Sequence, residues 1–162
     1  MILIFLIIIK SDKSKFGDYS IITHDTLKDY ALTNFQNAIC FRETKEKDYK
    51  INDPFVAKLE SKGDKKFVIR LGKNYLYREN ESKVFKGKDL EEEDEGFYFQ
   101  IYPVFNIGFQ LANKDACLEM KDFGGPLDGY EVVANKCTDN FKQVFLINPI
   151  NVSKEVDLPN ES

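Results

Sequence analysis

Phe109-Gln-Leu-Ala-Asn-Lys-Asp-Ala-Cys-Leu-Glu119 decides how this chain is read. Phe109 and Leu111 flank Gln110 at period two, and Ala-Cys-Leu118 is a short apolar run. Asn-Lys-Asp115 interrupts them with turn-forming residues. That is the pattern of two short strands and a tight connection, because alternate side chains of a strand face opposite sides of a sheet. A helix would need apolar residues at i, i+3, i+4 and i+7 over ten or more positions. Only Thr26–Phe35 approaches that spacing.

Working outward, the same pattern recurs upstream. Ala38-Ile-Cys-Phe-Arg-Glu43 and Asn74-Tyr-Leu-Tyr-Arg-Glu79 resemble Asp115-Ala-Cys-Leu-Glu-Met120, and aligning Cys40, Leu76 and Cys117 gives spacings of 36 and 41 residues. The preceding alternating stretches align on Leu32, Ile69 and Leu111 at spacings of 37 and 42. A third strand is expected at Asp48–Ile51, Lys83–Lys86 and Tyr130–Ala134. A fourth is expected at Phe55–Leu59, Phe97–Ile101 and Val144–Ile147. Gly and Pro punctuate the connections, as at Lys62–Lys65, Leu71–Lys73 and Phe123–Pro126. The reading is therefore all-β: three repeats of about 40 residues and twelve short strands over 30–150. Closing three four-stranded units around a pseudo-threefold axis is the β-trefoil arrangement, which removes exposed sheet edges.

Composition sets bounds on function. The chain has 162 residues, 43 % hydrophobic and 31 % charged, with a net charge of −4. This length suits one domain that buries its own core. The acidic balance gives no basic stripe for nucleic acid. The single histidine, His24, excludes a multi-histidine metal centre. It lies within the polar 11–29 stretch and is expected to be exposed. A nucleophile pairing of His24 with the distant Cys40 has little to recommend it. The run Glu91-Glu-Glu-Asp-Glu95 reads as a solvated tip rather than a cation site. No catalysis, cofactor or metal is expected.

The chain begins Met1-Ile-Leu-Ile-Phe-Leu-Ile-Ile-Ile9. This is too short for an integral membrane span but suits the apolar region of a secretory signal over 1–10. A buried strand is the competing reading. A linker over 11–29 and a loose tail over 151–162 complete the expected organisation. In an oxidising compartment Cys117 and Cys137 could close a modest loop, whereas in a reducing one they would be small buried residues. Asn80 and Asn151, with a third tripeptide at Asn160, are acceptors for N-glycosylation on that route.

The last repeat resembles the ricin B-type lectins, in which an apolar strand leads into Cys-Leu-Asp. Gln143-Val-Phe145 resembles that family's Gln-x-Trp motif, with Phe in place of Trp. The likeness is good over 105–150, weaker over 66–103 and faint over 30–60. It implies an intra-repeat disulfide between Cys117 and Cys137, and a structural role for Gln143 and Phe145 in the hairpin core. It also implies a sugar site, with Glu119 at the carboxylate position, Asn135 where the family stacks an aromatic ring, and Lys142 where it has Asn. Tyr130 or Phe123 would have to supply the ring. Arg78-Glu79 and Arg42-Glu43 would occupy the comparable positions of the other repeats. The partner implied is a glycan or glycoprotein, or a host or cell-surface protein bound through the loops of a degenerate trefoil.

Overall fold

The computed structural model describes residues 16–45, 48–123 and 128–153, with the side chain of Phe123 left aside. The apolar run at 1–10, the turn at Gly124–Pro126 and the tail beyond 153, with Asn160, lie outside the described residues.

Strands β1 (Tyr19–His24), β2 (Leu27–Phe35), β3 (Ala38–Glu43), the two-residue β4 (Tyr49–Lys50) and β5 (Ala57–Ser61) come first. Next are β6 (Phe67–Leu71), β7 (Asn74–Arg78), β8 (Phe85–Lys88) and β9 (Gln100–Val104). Then follow β10 (Gly108–Asn113), β11 (Ala116–Phe123), β12 (Tyr130–Lys136), β13 (Leu146–Ile150) and β14 (Val152–Ser153). Twelve of them form one continuous sheet, and β4 and β14 pair separately.

The pairing repeats three times. Tight hairpins close at His24↔Leu27, Leu71↔Asn74 and Asn113↔Ala116. The strand opening each unit also bridges the strand that ends it, at Ser20↔Ala57, Phe67↔Phe99 and Phe109↔Phe145. Strand β5 pairs β6, β9 pairs β10, and β13 returns to β1, so the sheet closes on itself. The third strands β3, β8 and β12 meet one another at Ala38↔Lys86, Tyr130↔Phe41 and Val84↔Val133.

One apolar core fills the closed sheet. Ile22, Ile69 and Leu111 occupy equivalent positions in the three units and are fully buried, as are Leu76 and Leu118. Phe41 and Phe145 stack with ring centres 5.4 Å apart. These are the inward residues of each period-two pattern, and their removal from water is the main stabilising term.

The first repeat begins earlier than the sequence spacing suggests. Residues 16–29 are no linker: Ser20 to His24 are buried and β1 is an opening strand. Ser20 Oγ donates to the Phe16 carbonyl at 2.7 Å, and Thr23 Oγ1 accepts from Asn148 Nδ2 at 3.0 Å. These bonds let polar residues occupy a core strand. Ile22, not Leu32, is the counterpart of Ile69 and Leu111, so the spacings are 47 and 42. Of the Thr26–Phe35 stretch, Leu27–Phe35 is strand β2. The expected third strand at Asp48–Ile51 is only the small β4, and β3 takes its role. The start of the expected tail is also ordered by pairing, since Val152 and Ser153 run parallel to Tyr49 and Lys50.

Candidate functional site

Along β11, Leu118 and Met120 point into the core, so the alternation turns Cys117 and Glu119 to the other face. Glu119 is only 8 % exposed. Its carboxylate accepts from Asn135 Nδ2 on β12 at 2.7 Å and from Asn140 Nδ2 at 2.8 Å, one amide to each oxygen. Two hydrogen bonds to a charged acceptor offset the loss of hydration. Asn140 is itself fixed, because its Oδ1 caps the turn Phe141–Gln143 by accepting from Lys142 N at 3.0 Å.

The path of the 136–143 loop is set by two devices. Cys117 and Cys137 are joined in a disulfide, with their Cα atoms 4.9 Å apart. Gln143 is buried; its Oε1 accepts from Thr138 N at 2.9 Å and its Nε2 donates to the Lys136 carbonyl at 2.8 Å. Above Glu119 lies an open depression lined by Met120, Lys121, Asp122, Glu131, Asn140 and Lys142. Lys142 reaches across its rim to Asp122 at 3.3 Å.

Of the residues singled out from sequence, Glu119, Asn135 and Lys142 are brought together and Tyr130 is not. Tyr130 packs against the core and meets the Tyr30 ring edge-on at 5.2 Å, while its neighbour Glu131 faces the depression. Asn135 serves as an amide donor to Glu119 rather than as a surface for stacking. Among the described side chains, no aromatic residue lines the depression. The ricin B-type motif gives Asn140 no role. Its signal lies in the capped turn before the last strand of each unit, where Asp53 accepts from Phe55 N, Asp94 from Gly96 N and Asn140 from Lys142 N.

The middle unit fills the equivalent place with its own side chains. The hairpin register matches Tyr77, rather than Arg78 or Glu79, to Glu119. The Tyr77 hydroxyl donates to Asp94 Oδ2 at 2.9 Å, its ring lies 4.6 Å from that of Phe97, and Lys88 Nζ sits 4.7 Å from its centre. Gly96 permits this closeness, since a Cβ there would collide with the Tyr77 ring and the Arg78 carbonyl. Arg78 is buried elsewhere, donating to the carbonyls of Ser82 and Asn113.

Burial, followed by the bond to Asp94, pushes the Tyr77 hydroxyl above its usual range. The Gly96 N–H, aided by Tyr77 and Lys88, holds Asp94 below the ordinary carboxylate range. A lowered carboxylate contributes stability above its unfolded value, near pH 3.9, and loses it as pH falls through the folded value. The Tyr77 contribution is complete below about pH 10 and is lost as pH rises through its raised value. Asp94→Asn is therefore expected to lower the unfolding temperature most at neutral pH, with the difference from the parent closing toward pH 2.5. Thermal unfolding across that range measures it, and a difference independent of pH would contradict the linkage.

His24 is buried, contrary to the exposed position expected near a linker. Its Nδ1 accepts from Thr26 N at 3.2 Å, so the ring proton of the neutral imidazole sits on Nε2, which donates to the Phe141 carbonyl at 3.0 Å. His24 thus clasps the turn before β13. Asn113, its counterpart, clasps the turn before β9 by donating to the carbonyls of Glu95, Gly96 and Tyr98. Both ring nitrogens are engaged, and burial raises the Cys40 thiol, so these residues form no nucleophile pair. The acidic 91–95 segment is a solvated loop, with Glu91, Glu92 and Glu95 paired to Lys88, Lys62 and Lys66.

No family model matches the chain, and no curated protein sequence matches it. Solved structures do resemble it. The designed threefold-symmetric protein ThreeFoil superposes with a TM-score of 0.67 at 11 % identity, over 83 % of this chain and 100 % of its own. The cytolethal distending toxin of Haemophilus ducreyi gives 0.64 at 11 % identity, over 86 % of this chain and 89 % of its own. The Polyporus squamosus lectin, solved with a human-type influenza-binding epitope, gives 0.62 at 12 % identity, over 80 % of this chain and 48 % of its own. At such identities the likeness speaks for the fold alone, and that fold is the β-trefoil.

Proposed function

We propose that this protein is a carbohydrate-binding, lectin-like module without catalysis, acting on a secretory route or outside the cell. The observation that carries this reading is the Glu119 carboxylate, held by Asn135 and Asn140 at the floor of an open depression. Each carboxylate oxygen accepts one amide N–H and keeps a second acceptor direction. Two neighbouring sugar hydroxyls can donate there, while Lys142 offers a donor from the rim. Asn135 orients the carboxylate and Lys142 contacts the ligand; Tyr130, turned to the core, takes no part. The partner is a glycan or a glycoprotein on a host or cell surface. The Cys117–Cys137 disulfide supports an oxidising compartment, and Asn80 and Asn151 are exposed for glycosylation there.

Glu119→Ala is expected to cut glycan affinity at least tenfold, and Lys142→Ala by a smaller factor. Both should be read on a glycan array and by calorimetry, with thermal unfolding confirming the fold. Failure of the parent protein to bind any glycan would overturn the reading. An interaction protein with a degenerate sugar site, binding a protein partner through its loops, is favoured by one observation: among the described side chains no aromatic ring lines the depression. It expects partner binding to be indifferent to Glu119→Ala.

A further inference from the structure

From Gly96 to Asn113 the chain carries no charged residue, although 31 % of its residues are charged overall. The middle of this stretch is the β9–β10 hairpin. Its three-residue loop, Phe105-Asn-Ile107, is closed by Ile107 N donating to the Val104 carbonyl at 3.0 Å, with Asn106 in the left-handed region at φ 54°. Among the described residues five large hydrophobic side chains are exposed, and three of them, Tyr102, Phe105 and Ile107, belong to this hairpin. Phe105 is 86 % exposed.

The fold does not require them. The equivalent loop between β5 and β6 is Lys62-Gly-Asp-Lys-Lys66, which presents four charged residues in the same topological position. Phe105 and Ile107 are therefore not there to pack the domain.

We propose that the Tyr102–Phe105–Ile107 tip is a lipid-docking site that inserts into the surface of a membrane with zwitterionic headgroups. Three features select this occupant. The hairpin carries no charged residue of its own with which to pair a cationic or anionic partner, and Lys65 of the preceding loop borders it beside Tyr102, away from Phe105 and Ile107 in sequence. Its exposed apolar surface, roughly 400 Å² from three side chains of this size, falls well short of the about 800 Å² per partner of a stable protein interface. A few apolar side chains suffice at a lipid surface, where an aromatic ring with a polar edge, as in Tyr102, is at home in the headgroup layer. The closed turn holds the tip in shape before contact, so little ordering is required on docking. The inference does not depend on the glycan reading.

The full chain supplies its own test, because it contains no tryptophan. Phe105→Trp places a single reporter at the tip. With phosphatidylcholine vesicles its emission is expected to shift to the blue, and brominated lipid to quench it. In sedimentation with the same vesicles, Phe105→Ser combined with Ile107→Ser is expected to weaken partitioning at least tenfold, the scale set by two buried apolar side chains. Val84→Ser, which removes an exposed apolar group from the third-strand cluster, is expected to bind as the parent does. Thermal unfolding of the double variant should match the parent, since both residues are exposed. Three results would each overturn the proposal. The double variant could sediment unchanged, which would assign binding to another segment such as the N-terminal apolar run. Binding could require phosphatidylserine. The parent could form a dimer by light scattering that the double variant loses, which would make a second copy the occupant.

Discussion

Phe145→Ala is expected to destabilise the protein by about 3–5 kcal/mol, the range for truncating a buried phenylalanine. The ring is fully buried, stacks on Phe41 and lies 6.0 Å from His24. Its backbone exchanges both hydrogen bonds with Phe109 at 2.8 Å, so the residue cannot move inward to fill the cavity left by the ring. The loss joins a hydration term to a cavity term, and urea denaturation measures both together. Phe145→Leu, which keeps most of the volume, should recover much of the difference. A loss below 1 kcal/mol on truncation would contradict the place given to this ring at the centre of the core.

Replacing both Cys117 and Cys137 by serine is the second large effect. The disulfide closes residues 20 apart in sequence, and its removal is expected to cost about 2–4 kcal/mol. For a domain of this size each kcal/mol lowers the midpoint by roughly 2–4 °C. The freed loop also carries Asn140, and Asn135 adjoins it, so the amide pair around Glu119 loosens with it. Stability and glycan affinity should therefore fall together, and reducing agent should reproduce both effects in the parent protein. Equal midpoints with and without reductant would show that Gln143 alone holds the loop.

The third repeat could be read from sequence because its decisive residues are close together. Cys117, Cys137, Gln143 and Phe145 lie within one unit, and each contributes to the same hairpin and turn. The first repeat could not be read that way. Its opening strand contains Ser20, Thr23 and His24, which look like linker residues until their partners are known. Those partners include Asn148 and Phe141, 125 and 117 residues away. Without them a polar strand in the core is unfavourable; with them it is satisfied.

The candidate site divides in the same way. The alternation of β11 places Glu119 opposite Leu118 and Met120, and period two alone determines that. That the amide of Asn140, and not a group at position 142, meets Glu119 depends on the path of a loop set by a disulfide and a buried glutamine. Tyr130 shows the reverse case: its position one residue from Glu131 on β12 turns its ring into the core, and no motif could have supplied it to the depression. By itself the sequence determined an all-β chain of repeated strands and a carboxylate on the outer face, because local alternation suffices for these; the pairing of Cys117 with Cys137 came with the family resemblance of the last unit. Only the tertiary structure decided where the first unit begins, which amides hold the carboxylate and which aromatic side chains remain at the surface. Each of those depends on hydrogen bonds and packing between segments that chain folding, not sequence proximity, brings together.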